Sequence, residues 1–93
     1  MGITINAELV EQINALVQAW NAADRRCREM FHGWEQRSMR AGLERGFYLQ
    51  IAELPGTWGV LRDENIDDGE TAGRTVYEAY RRGGMQAAMD TLR

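Results

Sequence analysis

The feature that most constrains the fold is a ladder of apolar residues in the first third of the chain, spaced by alternating steps of four and three. The members of this apolar ladder are Leu9, Ile13, Leu16, Trp20, Ala23, Cys27, Met30 and Trp34. Because an α-helix turns once every 3.6 residues, this spacing places every member on one stripe of a helix. A stripe this long and apolar must be covered, either by the rest of the chain or by another molecule.

The ladder predicts a first helix from Ala7 to about His32, since Asn6 is a suitable N-cap and no proline or glycine lies inside. At Gly33 the helix is expected to bend, to break or to continue, because glycine within a helix costs about 1 kcal/mol relative to alanine. A second helix is predicted over residues 34 to 54 and is ended by Pro55-Gly56. Its apolar residues share one slowly drifting face: Met39, Leu43, Phe47, Ile51 and Leu54.

Two short helices are predicted in the last third of the chain. Asp67 and Glu70 form an acidic analogue of a capping box, so a third helix should run from about Asp68 to Arg82. The Gly83-Gly84 pair is a strong stop signal, and a fourth helix should follow from Met85 to about Leu92. The residues expected to face inward are Ala72, Val76, Ala79, Tyr80, Met85, Ala88, Met89 and Leu92.

The predicted fold class is therefore all-α. We expect one helical domain over residues 1–93, built as a small bundle of about four helices. A long first helix with a heptad-like apolar stripe should form a helical hairpin with the second, followed by the two short helices. Gly42 and Gly46, one turn apart in the second helix, indicate either a close approach by another helix or a weak point.

Composition narrows the class of function. The 93 residues carry a net charge of −3, which argues mildly against nucleic acid as a partner. No apolar run approaches the ~20 residues that span a bilayer, and no signal peptide is evident, so we expect a cytoplasmic protein with no membrane partner. Eleven basic residues, all of them arginine, point to a GC-rich bacterial or phage genome. Arginine is also the basic residue best suited to pairing with carboxylates and stacking on aromatics.

The acidic stretch over residues 63 to 70 is the best metal candidate, because calcium loops place oxygen ligands at alternating positions. Its register fails, however. With Asp63 as the first position, the turn glycine is replaced by Asp68 and the final bidentate carboxylate by Arg74. A solvated loop followed by a helix cap explains the stretch better, and we expect no metal.

No catalytic residue or cofactor is expected. Cys27 and His32 are the only soft metal ligands, and a five-residue step on a helix points them apart. Cys27 occupies a ladder position and should be buried, and no third group is placed to complete a catalytic pair. The single serine, Ser38, has no motif around it, and a phosphate loop would need a lysine that the chain lacks.

Residues 25 to 45 carry six arginines against three glutamates, interleaved with aromatic residues. We weigh three interpretations: a protein interface, a solvated face with ion pairs such as Arg40–Glu44, and a nucleic-acid surface. The protein interface ranks first, because arginine and aromatic residues concentrate at interfaces. The predicted partner-binding residues are Phe31, His32, Trp34, Arg37, Arg40 and Trp58. For Trp58, in a Gly-Thr-Trp-Gly turn, folding over the helix pair is the stronger alternative.

In size, charge and predicted helicity, the chain is similar to many small bacterial and phage antagonists that occupy a partner's surface. We therefore expect a non-enzymatic inhibitor or anti-activator that docks on and blocks a host protein such as a transcription regulator. A nucleic-acid-associated transcriptional regulator that uses the arginine stretch is the alternative. We also expect a homodimer in which two copies pack their ladders together, with Leu16 and Trp20 near the two-fold axis. In the competing arrangement, the second helix folds back after Gly33 and covers the ladder within one chain.

Overall fold

A computed structural model describes residues 7–54 and 68–92, and all of its regular structure is helical. Helix α1 spans Ala7–Met30, α2 spans Gly33–Ala52, and α3 spans Gly69–Thr91. The all-α prediction is confirmed, but the described residues form three helices rather than four. The predicted break at Gly83-Gly84 is a kink within α3, where only Gly84 leaves helical geometry (φ 74°, ψ −163°). None of these three helices is both long and apolar enough to cross a membrane.

The chain breaks between α1 and α2 two residues earlier than predicted. Helix α1 ends at Met30 rather than near His32, and His32 is the extended N-cap of α2 (φ −135°, ψ 155°). Gly33 follows with a positive φ of 61°, a conformation that residues with a Cβ rarely adopt. Glycine at position 33 therefore permits the reversal between the two helices.

Helix α2 folds back along α1, so the two form an antiparallel hairpin. The Trp20 ring of α1 stacks on Phe47 of α2 with the centroids 5.6 Å apart. Ile13, Trp20 and Cys27 of the apolar ladder are buried, whereas Leu9 and Leu16 are half-buried. Folding of α2 onto α1 thus covers most of the ladder within one chain, as the competing prediction required. The heptad-like stripe is confirmed only in part, because Met30 and Trp34 at its end are exposed.

The inner face of α2 differs from the predicted one. Phe47 and Ile51 are buried as expected, but Met39 is 46% exposed and Leu43 is 39% exposed. Tyr48, which the apolar spacing did not single out, is buried instead. The reason is that the first half of α2 turns polar residues toward α1, and these residues make the ion pairs and hydrogen bonds described below.

Helix α3 starts one residue later than predicted, and Asp67, the first acid of the predicted capping box, lies outside the described residues. Asp68 is its extended N-cap and accepts a 2.7 Å hydrogen bond from the backbone amide of Thr71. Such a bond satisfies one of the free amides of a first helical turn. The predicted inner face of α3 is confirmed. Ala72, Val76, Ala79, Ala88 and Met89 are buried, and Tyr80, Met85 and Leu92 are half-buried.

The packing of α3 on α2 depends on a close backbone approach at Gly73. A Cβ added there would lie 2.6 Å from the carbonyl carbon of Tyr48 and 2.8 Å from its Cα. The closeness of the two backbones lets Tyr77 reach across, where its ring meets Phe47 edge-on with centroids 4.8 Å apart. Helix α2 therefore lies between α1 and α3 and carries the aromatic centre of the core.

Candidate protein-binding surface

The turn between α1 and α2 carries the most exposed large apolar side chains among the described residues. Met30, the last residue of α1, is 64% exposed, and Trp34 at the start of α2 is 69% exposed. His32 is exposed and Phe31 is half-buried. We call Met30, Phe31, His32, Trp34 and Arg37, together at one end of the hairpin, the turn surface. A tryptophan exposed to this degree is unusual, because large aromatic side chains are mostly buried.

The residues of the turn surface are carried by a turn that hydrogen bonds from Gln36 hold in place. Its side-chain amide donates hydrogen bonds of 2.8 Å to the Phe31 carbonyl and 3.3 Å to the Arg28 carbonyl. The buried Cys27 thiol in turn donates to the Gln36 carbonyl at 3.6 Å. The last carbonyls of a helix have no partner within the helix, so Gln36 satisfies the Arg28 carbonyl that α1 leaves open, together with the Phe31 carbonyl just after the helix. The end of α1 and the start of α2 are therefore fastened to each other.

A second attachment lies one helical turn further into the hairpin, at Asp24 of α1. The Arg40 guanidinium donates a hydrogen bond to Asp24 and lies 5.5 Å from the centroid of the Trp20 ring. The hydrogen bond from Arg40 to Asp24 raises the pKa of the Arg40 guanidinium above its ordinary value. Arg40 also pairs with Glu44 at 3.9 Å, and Arg28 pairs with Asp24 at 3.3 Å. These contacts make Arg40 a brace between the two helices.

The structure thus places the predicted partner-binding residues in different environments. His32, Trp34 and Arg37 are exposed at the turn, Phe31 is half-buried there, and Arg40 is half-buried in contacts within the chain. Trp58 lies outside the described residues. Binding of a partner by any of these residues stays a prediction, but Arg40 has a structural role that its position in the arginine stretch did not reveal.

Nucleophilic and metal-ligating groups do not gather around the turn. Cys27 is buried, and its thiol is directed at the Gln36 carbonyl rather than at His32, which is exposed. Over residues 7–54 and 68–92, no three His, Cys, Asp or Glu side chains are close enough to hold one metal ion. Most of the acidic stretch weighed as a calcium loop, residues 63 to 67, lies outside the described residues.

An apolar groove runs along the outer side of the α1–α2 hairpin. Its volume is about 270 Å³, and it is lined by Leu16, Ala19, Trp20, Ala23, Gly42, Leu43, Gly46, Phe47 and Gln50. A Cβ added at Gly42 or Gly46 would meet no atom within 4 Å. The two glycines therefore do not serve a close approach between helices within the described part of the chain. Gly73 has that role.

Three residues with structural roles were not predicted from the sequence: Asp24, Gln36 and Gly73. The i to i+4 spacing of Asp24 and Arg28 was the one available signal, and it could not show that Arg40 would share the same carboxylate. Gln36 and Gly73 act through contacts between helices, which depend on how the helices pack and not on the local sequence.

Comparison with known proteins yields no relative: the chain matches no protein-family profile, no curated protein and no solved structure.

Proposed function

We propose that this chain is a non-enzymatic regulatory protein, of bacterial or phage origin, that acts by binding another protein. In this proposal it is an inhibitor or anti-activator that docks its turn surface on a host protein, such as a transcription regulator, and blocks it. The observation that carries the proposal is the exposure of Trp34 at 69%, beside Met30 at 64%, on one end of a braced hairpin.

The chemistry of the turn surface suits a protein partner. Tryptophan and arginine are the side chains most often found to dominate binding energy at interfaces, and Trp34 and Arg37 are both exposed there. Methionine, here Met30, adapts its shape to an irregular apolar pocket. A partner that covers these side chains would gain apolar burial that the isolated chain forgoes.

Rigidity of the turn adds to the proposal. Gln36 ties the two helices together at the turn, and Arg40 does so one helical turn further into the hairpin, so the exposed side chains are carried on a preorganised backbone. Preorganisation raises affinity, because less conformational entropy is lost when the partner binds.

The nucleic-acid alternative has weaker support. Binding of a phosphate backbone depends on unneutralised positive charge. Of the six arginines between residues 25 and 45, Arg28 and Arg40 pair with Asp24, and Arg45 pairs with Glu70 at 3.6 Å. Half of the arginine stretch is therefore engaged by carboxylates of the same chain.

The experiment compares three immobilised full-length proteins: wild type, Trp34→Ala, and Leu49→Ala as the matched control. Leu49 is an exposed apolar residue of α2, four turns away from Trp34 along the helix. Lysate from a GC-rich bacterium is passed over each. We expect one host protein to be retained by wild type and Leu49→Ala but not by Trp34→Ala.

Three results would contradict the proposal. One is equal retention by all three proteins, which would place binding elsewhere. Another is that no host protein is retained by any of them. The third is retention of nucleic acid alone, with affinity that falls steeply as salt is raised, which would favour the alternative function.

A further inference from the structure

We infer that the apolar groove of the α1–α2 hairpin is occupied by the same groove of a second copy of this chain, related by a two-fold axis that makes the two hairpins antiparallel. This inference does not depend on the proposed function, because the groove and the turn surface use different residues.

The groove is a helix-lined face that the described chain leaves uncovered. Helix α3 contacts α2 at Tyr48, through Gly73. Gly46 in the groove lies two residues before Tyr48, which is about 200° around the helix. Helix α3 therefore packs on the opposite side of α2 and leaves the groove open. Leu43, 39% exposed, and Ala19, also exposed, are the side chains that a second copy would bury.

The charges of the hairpin favour a second copy in the antiparallel orientation. The turn half, residues 24 to 40, holds five arginines and three acids, a net charge of +2. The open half, residues 7 to 23 and 41 to 54, holds one arginine and four acids, a net charge of −3. A parallel pairing would place like charges together, whereas an antiparallel pairing sets each turn half on the open half of the other copy.

The size of the face suits a modest dimer. A 20-residue helix is about 30 Å long, and two helices packed side by side present a face about 20 Å wide. Each copy would then bury about 600 Å², near the lower limit for stable association between proteins. We therefore expect dissociation in the micromolar range and a two-fold closed assembly rather than a polymer.

The groove includes only part of the predicted ladder surface, namely Leu16, Trp20 and Ala23. Ile13 and Cys27 of the ladder are 1% and 3% exposed and already covered by the chain itself. A ladder-to-ladder dimer would need the hairpin to open, whereas groove-to-groove contact leaves the hairpin intact.

The test measures the mass of the full chain by sedimentation equilibrium from about 1 to 200 μM, for wild type, Ala19→Glu and Ala41→Glu. Both alanines are exposed and helical, but Ala41 lies two residues before Leu43 and so on the far side of α2 from the groove. We expect wild type and Ala41→Glu to reach twice 10.6 kDa. Ala19→Glu should raise the dimer dissociation constant at least about tenfold, because it buries a carboxylate in the contact.

Circular dichroism checks that each variant keeps its helical content. Raising the salt concentration should weaken the wild-type dimer, since exposed charges of the two halves attract each other across the contact. A wild-type mass of 10.6 kDa at every concentration would overturn the inference. A dimer weakened equally by both substitutions, or only by Ala41→Glu, would overturn it as well, and so would growth beyond two chains.

Discussion

At the scale of single residues, Gly73 and Gly42 have opposite surroundings. Gly73 lies against the backbone of Tyr48, whereas Gly42 faces open space. Both lie within helices, where replacing glycine by alanine ordinarily stabilises by about 0.5–1 kcal/mol. The two positions therefore form a matched pair for testing how closely α2 and α3 approach each other.

We expect Gly73→Ala to lower the free energy of unfolding by about 3 kcal/mol, because the added methyl group forces two helices apart. Gly42→Ala should raise the same quantity by about 0.5–1 kcal/mol. Urea denaturation followed by circular dichroism measures both. Equal effects of the two substitutions would mean that the two backbones are not in contact.

The Asp68 cap makes a prediction about pH. Hydrogen bonds from the Thr71 amide and then from its hydroxyl hold the pKa of the Asp68 carboxyl below its ordinary value. The folded chain thus favours the carboxylate. This contribution is complete above the pKa of an aspartate in the unfolded chain, about 3.9, and is lost as the pH falls through the lower pKa of the folded state.

We expect the thermal midpoint of the wild type to fall more steeply than that of Asp68→Asn between about pH 5 and pH 2. Asparagine keeps an oxygen that can cap the helix but does not titrate. Thermal melts followed by circular dichroism at a series of pH values provide the comparison. Parallel curves for the two proteins would show that Asp68 does not cap α3.

At the scale of helices, the α1–α2 hairpin depends on polar contacts at its closed end and on aromatic packing further along. The first half of α2 meets α1 through Gln36 and Arg40, and the second half through Phe47, whose ring stacks on Trp20. This division leaves Met39 and Leu43 on the outside of the hairpin. The exposed apolar face of α2 is a direct consequence of its polar inner contacts.

Removal of the Gln36 side chain tests whether its hydrogen bonds stabilise the turn end of the hairpin. We expect Gln36→Ala to lower the free energy of unfolding by about 1–2 kcal/mol, since the Arg28 and Phe31 carbonyls lose their donor. Gln18→Ala, at an exposed glutamine of α1 that does not line the groove, is the control and should change it by less than about 0.5 kcal/mol. Urea denaturation measures both, and similar losses would show that Gln36 does not hold the turn.

The helices could be predicted from the sequence where the spacing of apolar residues and the residues that end helices indicated the same bounds. The inner face of α3 followed directly from its spacing, as with Val76 and Ala88. The inner face of α2 was not predictable in the same way, because a prediction from apolar spacing places Met39 and Leu43 inside and polar residues outside. Apolar spacing cannot predict that Arg40 pairs with Asp24 of another helix.

At the scale of the whole molecule, three helices leave two surfaces without a covering element in the described chain: the groove and the turn surface. The presence of aromatic and arginine residues near the turn could be predicted from sequence. Which of them are exposed could not, since exposure of Trp34 and bracing by Arg40 both depend on where the hairpin turns. The turn surface is the part of the molecule on which the proposed function rests.

If Trp34 anchors a protein partner, titration calorimetry with the host protein captured by the wild type should detect the loss of that anchor. We predict that Trp34→Ala weakens binding by at least about 2 kcal/mol, roughly thirtyfold in Kd, while Leu49→Ala binds like the wild type. Both variants should keep the wild-type circular dichroism spectrum. If the Trp34→Ala protein is folded and still binds with wild-type affinity, Trp34 is not the anchor of the interface.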